Sequence, residues 1–298
     1  MPSLAAQFWI AVLKVTGRKK TFLSAEALHG MMAQRANSIT YDPPEYVEKR
    51  CHVDEALVGG YPVITLTPKT GTSGDAFMYL HGGAYVFEII ERQWMFAADM
   101  ACRLGRTVYV PIYPLAPTST AADTLAFAEK AYLWAEEKVG YRRLDVFGDS
   151  AGAGMAVAIM QVLQAKGITP KAKSLALLSP WFDITLETDG VLEVDRVDPW
   201  ISKPGLVEAG KLYAGDLQFH DPRVSPIEGP LNNLPPCHIF IGTRDIMLAD
   251  CRRFEEKMKA EGGEVYLTEY KGMFHCWPVV KSPEGRKLRE QLADVLTA

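Results

Sequence analysis

From Cys51 onward the chain alternates short apolar runs with longer amphipathic stretches, and few folds accommodate that order. The strand-like runs are 52–58, 61–67, 76–80, 107–112, 144–147, 174–178, 238–241 and 264–269. Several are almost continuously apolar, as strands covered on both faces must be. Helix-like stretches at 92–104, 121–138, 151–166, 250–261 and 284–296 fall between or after them. The alternation predicts an α/β fold with a mostly parallel, eight-stranded sheet flanked by helices. Gly59-Gly60 joins the first two runs and predicts an antiparallel hairpin at one edge.

Two segments stand outside the alternation. Residues 1–50 read as helices broken at Pro43-Pro44, and residues 183–213 are polar, then helical, between two strands. Both are expected to form a helical cap over the carboxyl ends of the strands, where sites lie in open α/β sheets. The expected organisation is 1–50 as the N-terminal part of the cap, 51–182 and 214–298 as the core, and 183–213 as a cap insert. Leu4, Phe8, Ala11, Val12 and Val15 recur at helical spacing, which suits an amphipathic helix lying on the protein. No Lys or Arg precedes this apolar stretch, so it does not read as a secretory signal, and no run is long and apolar enough to cross a membrane.

The chain has 298 residues, 48% of them hydrophobic, with a net charge of -4 spread along its length. No basic stripe suits nucleic acid, and Arg18-Lys19-Lys20 reads as a solvated helix end. The five cysteines include no C-x-x-C pair and are odd in number. They read as reduced thiols of a cytoplasmic protein, and Cys276 as a small, partly buried apolar residue.

Gly148-Asp149-Ser150-Ala151-Gly152 closes one strand-like run and opens a helix-like stretch. A serine on such a sharp turn presents its hydroxyl above the sheet, and the context resembles the nucleophile elbow of α/β hydrolases. There the chain order is Ser, then Asp or Glu, then His. His275, in a loop after the last strand-like run, is the one histidine beyond residue 238. Asp245 follows the 238–241 run through Gly242-Thr243-Arg244 and is the first choice of acid. Asp250 reads better as a helix N-cap, and Asp183, after the 174–178 run, ranks third. His81-Gly82-Gly83-Ala84 follows another strand, and its backbone N–H groups can turn towards an oxyanion. The expected donors are the N–H groups of Gly82, Gly83 and Ala151.

These motifs stand with Leu178-Ser179-Pro180-Trp181, Asp198-Pro199-Trp200, Asp221-Pro222-Arg223-Val224-Ser225-Pro226 and Gly272-Met273-Phe274-His275. Together they resemble the hormone-sensitive-lipase-like carboxylesterases, over most of the chain from Ala76 to Trp277. The resemblance implies an α/β-hydrolase core, a helical cap, and hydrolysis of small-molecule esters with short to medium acyl chains. It implies no metal and no organic cofactor. No Walker loop, H-E-x-x-H or Rossmann glycine pattern is present. It also implies a homodimer through the strand near 264–269, and no stable membrane insertion.

Three departures from the family pattern stand out. Ala84 replaces the third glycine, and alanine serves there if its φ is negative. Tyr113-Pro114-Leu115-Ala116-Pro117-Thr118 lacks the usual Arg and Glu of a loop behind the site. Phe87-Glu88-Ile89 replaces small residues and narrows the entrance, with Glu88 outside the mechanism. A lactonase or amidase would use the same triad, whereas a receptor on this fold lacks the catalytic histidine that His275 supplies here; a membrane-active lipase would need an exposed apolar lid, which the N-terminal helix could supply, though a cap helix packed on the core is the commoner use.

Overall fold

A computed structural model describes residues 2–35 and 40–297. Three helices come first: α1 (Leu4–Val15), α2 (Ala25–Arg35) and α3 (Glu45–Arg50). The alternating part runs β1 (Cys51–Val58), β2 (Tyr61–Pro68), β3 (Ala76–Leu80), α4 (Glu91–Leu104), β4 (Thr107–Pro111), α5 (Ala121–Val139), β5 (Leu144–Asp149), α6 (Ala151–Ala165) and β6 (Leu175–Leu178). It continues with α7 (Val191–Asp195), α8 (Lys203–Ala214), β7 (Cys237–Gly242), α9 (Leu248–Ala260), β8 (Val265–Tyr270) and α10 (Pro283–Thr297).

The eight strands form one sheet in the order β1-β2-β4-β3-β5-β6-β7-β8. β2 runs antiparallel to both β1 and β4, and every other neighbouring pair is parallel. Val58 pairs with Tyr61, so the first hairpin turns on two residues. Every residue of β3, β5 and β6 is buried; β3 and β6 are accordingly continuous apolar runs, whereas β5 also buries Asp145 and Asp149. β1, an edge strand, mixes exposed and buried residues.

Helices α5, α6 and α9 pack against one face of the sheet, and α4 and α10 against the other. α1 joins the second layer through Ala6, Ile10 and Leu13, not through the face of Leu4, Phe8, Ala11 and Val15 expected from the sequence, which is exposed. Phe22, Leu28 and α8 join the first. The N-terminal helices and the insert meet closely: a Cβ on Gly205 would stand 2.5 Å from the Cα of Phe22. Lys19 Nζ binds Asp195 Oδ1 at 2.9 Å and the Asp198 carbonyl at 3.1 Å. Leu13 and Phe22 of the N-terminal segments and Ile201 and Leu206 of the insert line one cavity together with Gly83, Ser150 and His275.

Candidate active site

β5 ends at Asp149 and α6 begins at Ala151, so Ser150 alone makes the turn, with φ 51° and ψ -119°. A non-glycine residue held there is strained, and the strain persists only because its surroundings fix it. Ser150 N donates to the Leu178 carbonyl at 2.9 Å, and Trp181 N donates to the Ser150 carbonyl at 3.1 Å. The flanking glycines answer to close approach. A Cβ on Gly148 would lie 2.6 Å from the Gly152 carbonyl oxygen, and one on Gly152 would lie 2.0 Å from that of Leu80.

The loop after β8 brings His275 Nε2 to 2.9 Å from Ser150 Oγ. Its Nδ1 lies 3.0 Å from both carboxylate oxygens of Asp245, in the loop after β7. A carboxylate only accepts, so Nδ1 carries the hydrogen and Nε2 is left to accept from the serine hydroxyl. All three side chains are buried. Burial pushes the imidazolium down, but the Asp245 carboxylate beside it outweighs this and holds the His275 pKa above its ordinary value.

The competing acids lie elsewhere. Asp183 accepts from Thr185 N at 2.8 Å and pairs with Arg253 at 3.1 Å. Asp250 is not the N-cap expected from the sequence: α9 starts two residues earlier, at Leu248, and its cap is Met247. Asp250 instead sits inside the first turn, fully buried, and burial pushes its carboxyl up to about 7.

The His81-Gly82-Gly83-Ala84 loop corrects two expectations. Gly82 N–H donates to Asp149 Oδ1 at 3.0 Å, so this group is already used within the protein and leaves the expected donor set. Ala84 has a φ of 54°, not a negative one, and Tyr85 follows at 63°. The turn is set by Gly83, whose φ is 142° and where a Cβ would meet the Phe87 carbonyl oxygen at 2.2 Å. Among the described residues, the N–H groups of Gly83, Ala84 and Ala151 donate to no protein acceptor. Because glycine adopts positive φ without the Cβ penalty, Ala84→Gly is expected to raise stability by about 0.5–1 kcal/mol. Thermal unfolding checks this, and a lower melting temperature contradicts it.

The sequence reading missed two buried carboxylates that build the site. Asp149 Oδ1 accepts from Tyr79 Oη at 2.6 Å as well as from Gly82 N–H. Its Oδ2 accepts from Gln93 Nε2 at 2.9 Å and lies 3.7 Å from the Cys276 sulfur. One side chain thus ties together the loop after β3, the Ser150 turn, α4 and the residue after His275. The buried Cys276 thiol is pushed up to about 12, chiefly by burial. Asp198 accepts from Trp200 N at 2.8 Å, Ile201 N at 3.1 Å and Ile246 N at 3.0 Å. It clamps the insert to the residue after Asp245, and burial, with the charge of Asp245, pushes it up to about 7. The clamp sets the Trp200 ring edge-on to His275, with centroids 6.3 Å apart. A motif match can flag these aspartates, but it cannot show partners from four separate elements.

The departures find physical answers. The loop lacking Arg and Glu is braced by Thr124 Oγ1, which donates to the Pro114 carbonyl at 2.8 Å, and by Ala116 N–H, which donates to Tyr85 at 2.9 Å. Glu88 lies 3.4 Å from His81 Nε2, and His81 stacks on Tyr113 with centroids 4.3 Å apart. A cavity of about 430 Å³ opens onto Ser150 and His275, walled by Leu13, Phe22, Phe87, Trp200 and Leu206. Among the described residues, no group of three or more His, Cys, Asp or Glu is placed to hold a metal ion.

A family model described as the alpha/beta hydrolase fold matches residues 77–279. An acetyl-hydrolase from Streptomyces hygroscopicus is 30% identical over 222 residues, covering 73% of each chain. A triacylglycerol lipase from Mycobacterium tuberculosis is 29% identical over 227 residues; the match covers 76% of this chain but only 47% of that longer protein. The crystal structure of an esterase from the bacterial hormone-sensitive lipase family has a TM-score of 0.83 at 24% identity, covering 99% of this chain and 98% of that one. The chain belongs to the α/β-hydrolase fold family.

Proposed function

We propose that this chain, a carboxylic ester hydrolase, cleaves esters with short to medium acyl chains, using Ser150 as nucleophile, His275 as base and Asp245 as its orienting acid. The relay from Asp245 through His275 to Ser150, at the floor of an apolar-walled cavity, carries this reading. His275 takes the Ser150 proton as Oγ bonds to the acyl carbon. The oxyanion then faces the N–H groups of Gly83, Ala84 and Ala151, each worth about 3 kcal/mol in sites of this kind. As the ester C–O bond breaks, His275 gives the proton to the leaving alcohol. Water, deprotonated by the same histidine, then releases the acid and frees Ser150.

The cavity volume supports the chain-length reading. About 430 Å³ is at the low end of the roughly 300–1,000 Å³ of small-molecule sites. A series of p-nitrophenyl esters from acetate to palmitate, with lactones and anilides alongside, tests it. A peak at the short esters is expected, and a preference for palmitate, lactones or anilides overturns the assignment. All five cysteines are free thiols, which supports a cytoplasmic setting. β8 is an edge strand with Tyr266 exposed on it, which leaves room for the homodimer expected there.

The pH profile follows from the raised His275 pKa. The base works when neutral, so kcat/KM is expected to rise with pH through one ionisation centred above the ordinary histidine value of about 6.5. A midpoint below that value, or a flat profile, contradicts the raised pKa.

A further inference from the structure

Helix α1 has two apolar faces. Ala6, Ile10 and Leu13 point into the core. On the opposite side Leu4, Phe8 and Val15 are 84%, 61% and 88% exposed, and Ala11 between them is exposed as well. Their spacing of four, three and four residues keeps all four within about 60° of arc at 3.6 residues per turn. A helix covering only the core needs one apolar stripe, so packing does not explain the second.

The stripe is firmly presented. Ser3 caps α1, its side chain accepting from Ala6 N at 3.2 Å, and its own N–H and hydroxyl donate to Glu284 on α10 at 2.6 and 2.8 Å. The charge this segment itself carries has one sign. The first 25 residues contain no acid, while Lys14, Arg18, Lys19 and Lys20 are all basic, in a chain whose net charge is -4. Lys19 is held by Asp195, but Lys14, Arg18 and Lys20 are exposed. The same helix and the turn after it reach the ester site, since Trp9, Val12 and Leu13, and then Arg18, line the cavity above Ser150.

We propose that α1 docks this protein on an anionic lipid surface, with Leu4, Phe8, Ala11 and Val15 entering the interface and Lys14, Arg18 and Lys20 meeting the headgroups. An apolar stripe with a basic border is the pattern of helices that lie in the membrane interface. A second copy of the chain fits the stripe poorly, because pairing α1 with α1 would bring like charges together. Docking here sets the cavity mouth beside the film, so apolar esters dissolved in it reach Ser150 without crossing water.

Flotation of the full chain with vesicles of phosphatidylglycerol, and separately of phosphatidylcholine, tests the proposal, and binding is read without turnover. Binding to phosphatidylglycerol is expected, with little to phosphatidylcholine, and about 1 M salt should weaken it by shortening the screening length to about 3 Å. The double variant Leu4→Ser/Phe8→Ser should lower the partition coefficient by about tenfold or more. Lys14→Glu/Lys20→Glu should lower it comparably, at about fivefold per basic side chain removed. Both variants should keep wild-type turnover of a water-soluble short ester, which separates docking from the chemistry at Ser150. Failure to float with phosphatidylglycerol overturns the proposal, as does unchanged binding by either variant. So does a lipid-free dimer of the full chain that Leu4→Ser/Phe8→Ser converts to monomer, because a second copy would then cover the stripe.

Discussion

Ser150→Ala is expected to lower kcat on p-nitrophenyl butyrate by about 10⁶-fold with the fold intact, because removing the nucleophile disables the whole relay. The residual rate over water would come from binding and the backbone donors alone. The variant should not lose stability. Ser150 Oγ makes one hydrogen bond, to His275, and the strained turn rests on backbone contacts that alanine keeps. Steady-state kinetics beside a thermal melt checks both. A folded variant with more than about a hundredth of the wild-type kcat would mean that another group attacks the ester, since a single lost hydrogen-bond donor typically accounts for about 10²–10³.

Asp245→Asn should cost about 10⁴ in kcat, since an amide in place of the carboxylate favours the wrong imidazole tautomer. The contrast with the other two acids is the sharper part. Asp183→Asn breaks the ion pair of a buried carboxylate with the half-exposed Arg253, so its effect should fall on the melting temperature and not on kcat. Asp250→Asn should leave kcat near wild type and change how stability varies with pH. The folded-state pKa of Asp250 is raised to about 7, above the unfolded value of about 3.9, so the buried group disfavours folding increasingly as pH climbs between those values. Asparagine removes that loss. If Asp183→Asn or Asp250→Asn costs as much kcat as Asp245→Asn is expected to, the acid is misassigned.

Much of the fold was legible because burial leaves a one-dimensional trace. The central strands lie between helical layers and so read as mostly apolar runs, Asp145 in β5 being the break, and are placed within a residue or two. The run at 144–147 continues to Asp149 in the structure because the ladder with β6 extends to Asp149 and Leu178, a pairing the sequence of β5 alone does not reveal. That Ser150, Asp245 and His275 would come together was legible for a related reason. Each follows a strand of the parallel sheet, and such strands deliver their loops to one edge. What escaped depends on distant partners. Gly82 loses its N–H to a carboxylate 67 residues away, and Asp198 reaches a backbone group 48 residues on. The positive φ of Ala84 is imposed by the turn that Gly83 makes against Phe87, so a residue type suited to negative φ gave the wrong expectation.

The most direct test of the account is mass mapping after reaction with an organophosphate, which traps a serine nucleophile activated by its own base. One adduct per chain is expected, on the peptide carrying Ser150, with ester hydrolysis lost in step with labelling. The labelling rate should rise with pH on the same limb as kcat/KM, and His275→Ala should abolish it. An adduct on any other residue, or full hydrolytic activity in protein whose Ser150 is quantitatively modified, would contradict the assignment of Ser150 as the nucleophile.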